Sequence, residues 1–463
     1  MILYYLILFT AFFLFALVIR INRFVFYALA ENSVSLVNFL ISDLEEDVKI
    51  SKVQKTTNRL VLSLFRMFLV FILSIAIGSI PVVIYVLLTR NEFQNLDFTS
   101  FYSILFISAG ATLAFVIPVG KKSESPYSEL SQLLHKLALD NYYIANKLFK
   151  RETKKLKRNK PTPGEKFVIV SGLARAGTTS LMNDLAKIDD FVSLSYANMP
   201  FLLCPNIWAK FYNPKSKELA ERSHKDGIMI GLNSNEALEE YFFKVKANDA
   251  YIKNDHLSEY EISPEDYSDY MDYQGIIKSD ENKIYLAKNN NFILRYKSVR
   301  KLNDDFIMVI LYRDPLSHAG SLMQKHHDYS RLQGEDPFVL EYMNWLGHHE
   351  FGKNQKPFVF RNSAYMPEGE KETLDYWLKL WINFYRYVLT IDHPNTILIN
   401  YDTYCNKPGK TLESILEKTG IDAEVPVIQP FKNQRKVSAE FSDDVYESAM
   451  EIYDELNRRA YTS

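Results

Sequence analysis

Three stretches of the chain are apolar and uncharged: residues 2–19, 67–89 and 101–119. Each is close to the ~20 residues that cross a ~30 Å hydrocarbon core as a helix. Gly78 and Pro81 inside the second are tolerated in such helices. A fourth run, 24–42, is interrupted by Glu31-Asn32-Ser33 and reads as an interfacial or bundle helix. Residues 2–19 lack the basic leader and small-residue cleavage site of a signal peptide. Lys and Arg placement sets the orientation. The 20–66 segment carries Arg20, Arg23, Lys49, Lys52, Lys55, Arg59 and Arg66, whereas 90–100 carries only Arg90. Lys121, Lys122 and a basic run from Lys150 to Lys160 follow the last span. The pattern predicts an integral membrane protein with its N-terminus outside. Three spans fall within residues 1–120, and the remainder lies in the cytoplasm.

From residue 166 onward the period changes. Short apolar runs at 167–171, 191–195, 284–287, 306–312 and 396–400 alternate with helical periodicity over 178–187, 234–245, 316–326, 373–390 and 410–419. That alternation predicts an α/β domain over 166–463, a P-loop NTPase-like parallel sheet flanked by helices. Ligands of such sheets sit at the carboxyl ends of strands. Between the two regions, 121–165 reads as a helical, basic linker ending at Pro161-Thr162-Pro163-Gly164. It is either a solvated tether or a segment drawn to anionic headgroups.

Composition changes this picture little. A chain of 463 residues suits two domains. A net charge of −2 supplies no field for nucleic acid. Cys204 and Cys405 offer neither metal spacing nor a disulfide framework, which fits a reduced, cytosol-facing domain.

The chemistry concentrates in FVIVSGLARAGTTSL, residues 167–181. An apolar strand stops at Ser171-Gly172, a short loop follows, and a helix begins. Such a loop turns backbone N–H groups and the positive end of a helix toward an anion. The spacing from Gly172 to Gly177 is that of a Walker A loop, but Thr178 stands where its lysine belongs. Thr179 fills the hydroxyl position, and the cation has moved back to Arg175. The missing lysine argues against ordinary nucleoside triphosphate chemistry. A second strand, IMVILY, runs into Arg313-Asp314-Pro315 and a helix carrying Ser321. Pro315 suits the first helical turn, and arginine offers a planar fork to phosphate. Two anion sites at strand ends suit a nucleotide carrying phosphates at two positions.

These two motifs resemble those of sulfotransferases that use 3′-phosphoadenosine 5′-phosphosulfate, and IYLAKNNNFILR (284–295), NTILINYDTYCNKP (395–408), YANMPFLLCP (196–205) and WLGHHEFG (345–352) fit a membrane-anchored, bacterial-type branch better than the small cytosolic enzymes. The family's phosphosulfate loop reads roughly [PR]-[KR]-S-G-T-T; here it is Ala174-Arg175-Ala176-Gly177-Thr178-Thr179. Its 3′-phosphate motif is a strand, R-D-P, and a serine eight residues after the arginine, matched by Arg313 and Ser321. The resemblance spans about 166–436 and implies that Gly172, Arg175, Ala176, Gly177, Thr178, Thr179, Arg313 and Ser321 hold that donor, without a metal. It further implies that Lys288 of IYLAKNNNFILR lies near the transferred group, and more weakly that KNQRK, 432–436, contacts the 3′ side. Ala176 replaces the family's serine. The resemblance supplies no base, because no histidine follows Lys288 closely and Tyr196 stands near where a glutamate is expected. Candidates come from RSHKDGIMIGLNSNEALEE, 222–240: His224 first, then Glu236, with Asp226, Glu239 and Glu240 behind. Glu236 also suits a first-turn dipole role. His348-His349-Glu350 reads as a packed cluster rather than a metal site. Tyr196, Phe201, Trp208, Phe211, Tyr212, Tyr241, Phe242 and Phe243 either line an acceptor cleft or pack the core. The membrane region points to a membrane-associated acceptor, a glycan or lipid. The competing readings are a membrane-tethered P-loop kinase or NTPase and a non-catalytic membrane scaffold.

Overall fold

A computed structural model describes residues 2–42, 46–89, 97–117, 128–159, 166–212, 220–221, 229–230, 237–278, 280, 282–361, 367–430 and 439–460. The chain divides into two compact units, residues 1–137 and 138–463.

The first unit is helical. Helices Ile2–Ile21, Arg23–Ile41 and Glu46–Thr89 are long and apolar enough to cross a membrane, while Phe101–Val116 has 16 residues. Residues 24–42, read as an interfacial or bundle helix, form helix Arg23–Ile41, which is of spanning length, and their polar triplet finds partners. Glu31 pairs with Lys136 at 2.7 Å, and Asn32 Nδ2 donates to Ser63 Oγ at 3.0 Å. The charge-free stretch 67–89 is the second half of one 44-residue helix, about 66 Å long at 1.5 Å per residue. Small residues let the helices approach closely. A Cβ on Gly110 would stand 2.2 Å from the Phe9 carbonyl oxygen, and one on Gly78 2.9 Å from the Phe15 Cβ.

The second unit carries a parallel sheet flanked by helices, as the alternation predicted. Its strands in chain order are β1 (Phe167–Gly172), β2 (Phe191–Val192), β3 (Ala220–Glu221), β4 (Met229–Ile230), β5 (Leu257–Ser258), β6 (Ile284–Lys288), β7 (Ile307–Tyr312), β8 (Phe358–Val359) and β9 (Thr396–Asn400). Five of them form the main sheet in the order β2-β6-β1-β7-β9, every neighbour parallel. β1 is buried along its whole length and so is β7, the signature of strands covered on both faces. Val168, Val170, Leu286, Val309 and Ile397 pack against Leu181 and Leu185 of helix Thr178–Leu185 and Leu412 and Ile415 of helix Pro408–Thr419. Helix Leu374–Val388 is tied to the sheet by Tyr385, whose hydroxyl donates to the Leu311 carbonyl at 2.8 Å.

Residues 142–159, expected as part of a linker, are one helix of this unit. Phe149 is wholly buried against Phe242 and Tyr273. Glu152 accepts from Asn206 Nδ2 at 3.2 Å and from the Ile207 N–H. The basic side chains are exposed, and Lys157 pairs with the buried Asp272 at 2.7 Å, so this stretch docks and is more than a tether. Tyr241, Phe242 and Phe243 are also core residues, which removes them from any cleft.

Candidate active site

The site is built at the carboxyl ends of β1, β6 and β7. β1 ends at Gly172, where a Cβ would lie 2.6 Å from the Leu311 carbonyl oxygen of the adjacent strand. The loop then closes on itself, Ala176 N–H donating to the Leu173 carbonyl at 3.0 Å. Arg175 sits at φ 72°, a left-handed conformation that costs a non-glycine residue about 1–2 kcal/mol. Backbone strain of this kind gathers at functional sites. Gly177, at φ 99°, is the N-cap of helix Thr178–Leu185, so the first-turn N–H groups at Thr178 and Thr179 point toward the loop's mouth.

Two long-range contacts join predicted residues, and a third ties Arg313 to Tyr401. Arg175 Nε donates to Ser321 Oγ at 3.3 Å, joining the two motifs across 146 residues of chain. Lys288, the last residue of β6 and 8% exposed, donates from Nζ to Thr179 Oγ1 at 2.7 Å. Arg313, at the end of β7 and 5% exposed, lies with its guanidinium carbon 5.4 Å from the centre of the Tyr401 ring. The helix after it begins at Pro315, with Asp314 Oδ1 accepting from the Ser317 N–H at 2.8 Å. The cluster therefore presents Arg175, Lys288 and Arg313 as cations, with the hydroxyls of Thr179 and Ser321 between them. This donor set fits an anion at each end.

Several members of the site were not legible in the sequence. His318 is wholly buried, and its Nε2 donates to the Ala174 carbonyl at 2.7 Å. Burial, with Arg313 and Arg175 nearby, pushes its pKa down to about 3. It is a neutral strut that ties the loop to the R-D-P helix. Ala176 is fully buried in the apolar core beneath the loop, so the position of the family's serine is here a packing residue. Tyr401 stacks over Gly177: a Cβ there would stand 2.2 Å from its ring. Gly177→Ala is accordingly expected to lose about 2–4 kcal/mol of stability through clash and backbone strain. Denaturation of the Gly177→Ala and Gly177→Ala/Tyr401→Ala variants checks this, the second recovering the clash but not the strain.

Behind Lys288 lies a buried acidic pair. Glu239 accepts from Tyr270 Oη at 2.5 Å and from Asn289 Nδ2 at 2.9 Å, and burial raises its pKa to about 7. Glu240 holds Arg295 through two bonds of 2.6 and 2.7 Å. Both carboxylates are enclosed by protein, which removes Glu239 and Glu240 as bases open to an acceptor. His224, Asp226, Glu236 and the 432–436 segment lie outside the described residues. Among the described residues no cluster suits a metal ion.

No protein-family model matches the chain, and neither does any curated protein. Solved structures with a similar arrangement include a sulfotransferase of Mycobacterium tuberculosis, at 12% identity and a TM-score of 0.36, covering 72% of this chain and 84% of that one. A sulfotransferase of Alicyclobacillus acidocaldarius gives 13% identity and a TM-score of 0.33, covering 65% of this chain and 94% of that one. One of Mycobacterium avium gives 12% identity and a TM-score of 0.36, covering 73% and 79%. Likeness this distant assigns no residue a role, so each role rests on the site's own geometry.

Proposed function

We propose that this protein transfers a sulfuryl group from 3′-phosphoadenosine 5′-phosphosulfate to a hydroxyl or amine of a membrane-associated acceptor, a glycan or lipid. The observation that carries the reading is the Arg175–Ser321 contact. It brings the lysine-less phosphate loop against the R-D-P helix, which supports one site with two anion positions. Lys288, reaching Thr179, completes it. In transfer, the acceptor oxygen bonds to sulfur while the bond from sulfur to the 5′-phosphate oxygen breaks. Charge grows on that bridging oxygen. Arg175, Lys288 and the helix start at Thr178-Thr179 stabilise it where it forms, in a site with little water to compete. Arg313 and Ser321 hold the nucleotide's 3′ side, so that donor and acceptor meet in a productive geometry.

The membrane association of the acceptor rests on the long apolar helices of residues 1–137. With it goes the topology read from Lys and Arg placement, N-terminus outside and the second unit cytoplasmic. The first test is nucleotide binding by the purified full chain. Tight binding of 3′,5′-bisphosphoadenosine, unaffected by a chelator, is the expected result. Magnesium-dependent ATP hydrolysis in its place would make the protein a P-loop NTPase. Equal turnover of soluble and lipid-linked sugars would remove the membrane acceptor.

A further inference from the structure

We infer that His348 is the general base that takes the acceptor's proton, with Glu350 as its positioning residue. The inference rests on the sulfuryl-transfer reading above. Helix Pro337–Leu346 ends at Gly347, in a left-handed cap at φ 75°. Asn291, three residues beyond Lys288, donates from Nδ2 to the Gly347 carbonyl at 2.9 Å. That bond fixes the His348-His349-Glu350 segment beside the end of β6. The segment is stiff on its far side as well. Asn354 Nδ2 donates to the His348 carbonyl at 2.9 Å, and the His348 N–H donates to the Met343 carbonyl at 2.9 Å. A small cavity is shared by His349, Glu350 and Asn291 with Leu173 of the phosphate loop and Leu322, next to Ser321. The segment thus borders the donor cradle.

Within it, His348 Nδ1 lies 3.4 Å from Glu350 Oε1. A carboxylate on Nδ1 sets the tautomer, leaving Nε2 to accept a proton. The separation is long for a hydrogen bond, as catalytic contacts are before substrate closes on them. Burial alone would raise the Glu350 pKa, but His348, then Glu350's own backbone N–H and Lys288, outweigh it and hold it below the usual range. Glu350 therefore stays charged and faces both the imidazole and the site's lysine. The remaining charges around the segment are committed elsewhere. Lys244 pairs with Asp249 at 3.2 Å, and Glu240 pairs with Arg295 at 2.6 Å. Burial lowers His349 to about 4, leaving it neutral, while burial and then Lys244 hold Lys356 below its ordinary value. His348 is 24% exposed at its side chain, open enough to meet an acceptor. In the step, the acceptor O–H proton passes to Nε2 as oxygen bonds to sulfur. The products are the sulfate ester and 3′,5′-bisphosphoadenosine, with the proton on His348 released to solvent afterwards.

The test measures radiolabelled sulfate transfer from the donor into extracted membranes, alongside binding of 3′,5′-bisphosphoadenosine. His348→Gln is expected to lower transfer ~100-fold or more while nucleotide affinity stays within about threefold. Added imidazole is expected to restore part of the rate in His348→Ala. Glu350→Gln, which loses the orienting carboxylate, is expected to lower transfer ~10-fold or more while nucleotide affinity stays within about threefold, and Glu350→Asp is expected to recover part of the loss. Wild-type transfer rates in His348→Gln or in Glu350→Gln overturn the inference and leave the donor site standing. A wild-type protein that binds no 3′,5′-bisphosphoadenosine overturns both.

Discussion

Replacing Arg175 with glycine is expected to cut sulfuryl transfer by about 10²–10³-fold, the usual loss when one charge-stabilising donor is removed. Glycine is the informative choice because Arg175 occupies φ 72°. Alanine would lose the guanidinium and distort the loop together, whereas glycine keeps the loop's shape and removes only the charge. Lys288→Met is expected to fall as far. Its Nζ is buried and aimed at Thr179 Oγ1, 2.7 Å away, where methionine fills the space without a cation. The two groups address the same developing charge, so Arg175→Gly/Lys288→Met should lose less than the product of the single losses. Single-turnover transfer of radiolabelled sulfate reads the chemistry, and calorimetric binding of 3′,5′-bisphosphoadenosine reads the ground state. The expected split is a large loss in the first and a small one in the second. Full activity in Arg175→Gly would remove the loop from the mechanism.

Backbone pattern was far more legible than side-chain partnership. Every strand of the main sheet begins within one residue of its apolar run; β1 and β7 were plainest, because strands buried along their whole length must be apolar throughout. Arg175, Lys288, Arg313 and Ser321 were legible for the same reason: each sits at or just beyond a strand or in the helix after it. What pattern could not show is which distant side chains meet. His318 looks like any helical histidine until Ala174, 144 residues earlier, lies over its Nε2. Asn291 lies in a polar run whose partner is the Gly347 carbonyl. The basic helix 142–159 resembled a tether because its charges are local and visible, whereas the docking of Phe149 and Glu152 depends on residues far along the chain. Aromatic residues left two readings open for the opposite reason. Tyr241, Phe242 and Phe243 carry the composition of a binding cleft, yet the same rings pack equally well inside. Only burial distinguishes the two.

Arg295→Met is expected to destabilise the second unit by about 3–5 kcal/mol, the cost of leaving a buried carboxylate without its partner. Arg295 is fully buried at its side chain, and Glu240 is 4% exposed. The guanidinium lies 4.1 Å from the centre of the Phe243 ring, 4.9 Å from that of Tyr260 and 5.2 Å from that of Tyr251. Methionine preserves much of that aromatic packing but strands Glu240, to which Tyr251 alone then donates among the described residues. Glu240→Leu strands the guanidinium instead and should cost a similar amount. Arg295→Met/Glu240→Leu removes both charges, so its loss should be well below the sum of the two. The pair also bears on chemistry. Arg295 closes the short helical segment that begins two residues after Lys288, and neighbouring Glu239 holds Asn289 at 2.9 Å. Loosening this layer lets the end of β6 shift, so Arg295→Met should lower transfer even below its unfolding temperature. Nucleotide affinity, set mainly by the loop and the R-D-P helix, should fall less. Thermal unfolding of the four-protein cycle, read with transfer rates well below each midpoint, separates these effects. Additive losses would mean that the two charges do not depend on one another, and unchanged transfer in Arg295→Met would mean that β6 holds Lys288 in place without them.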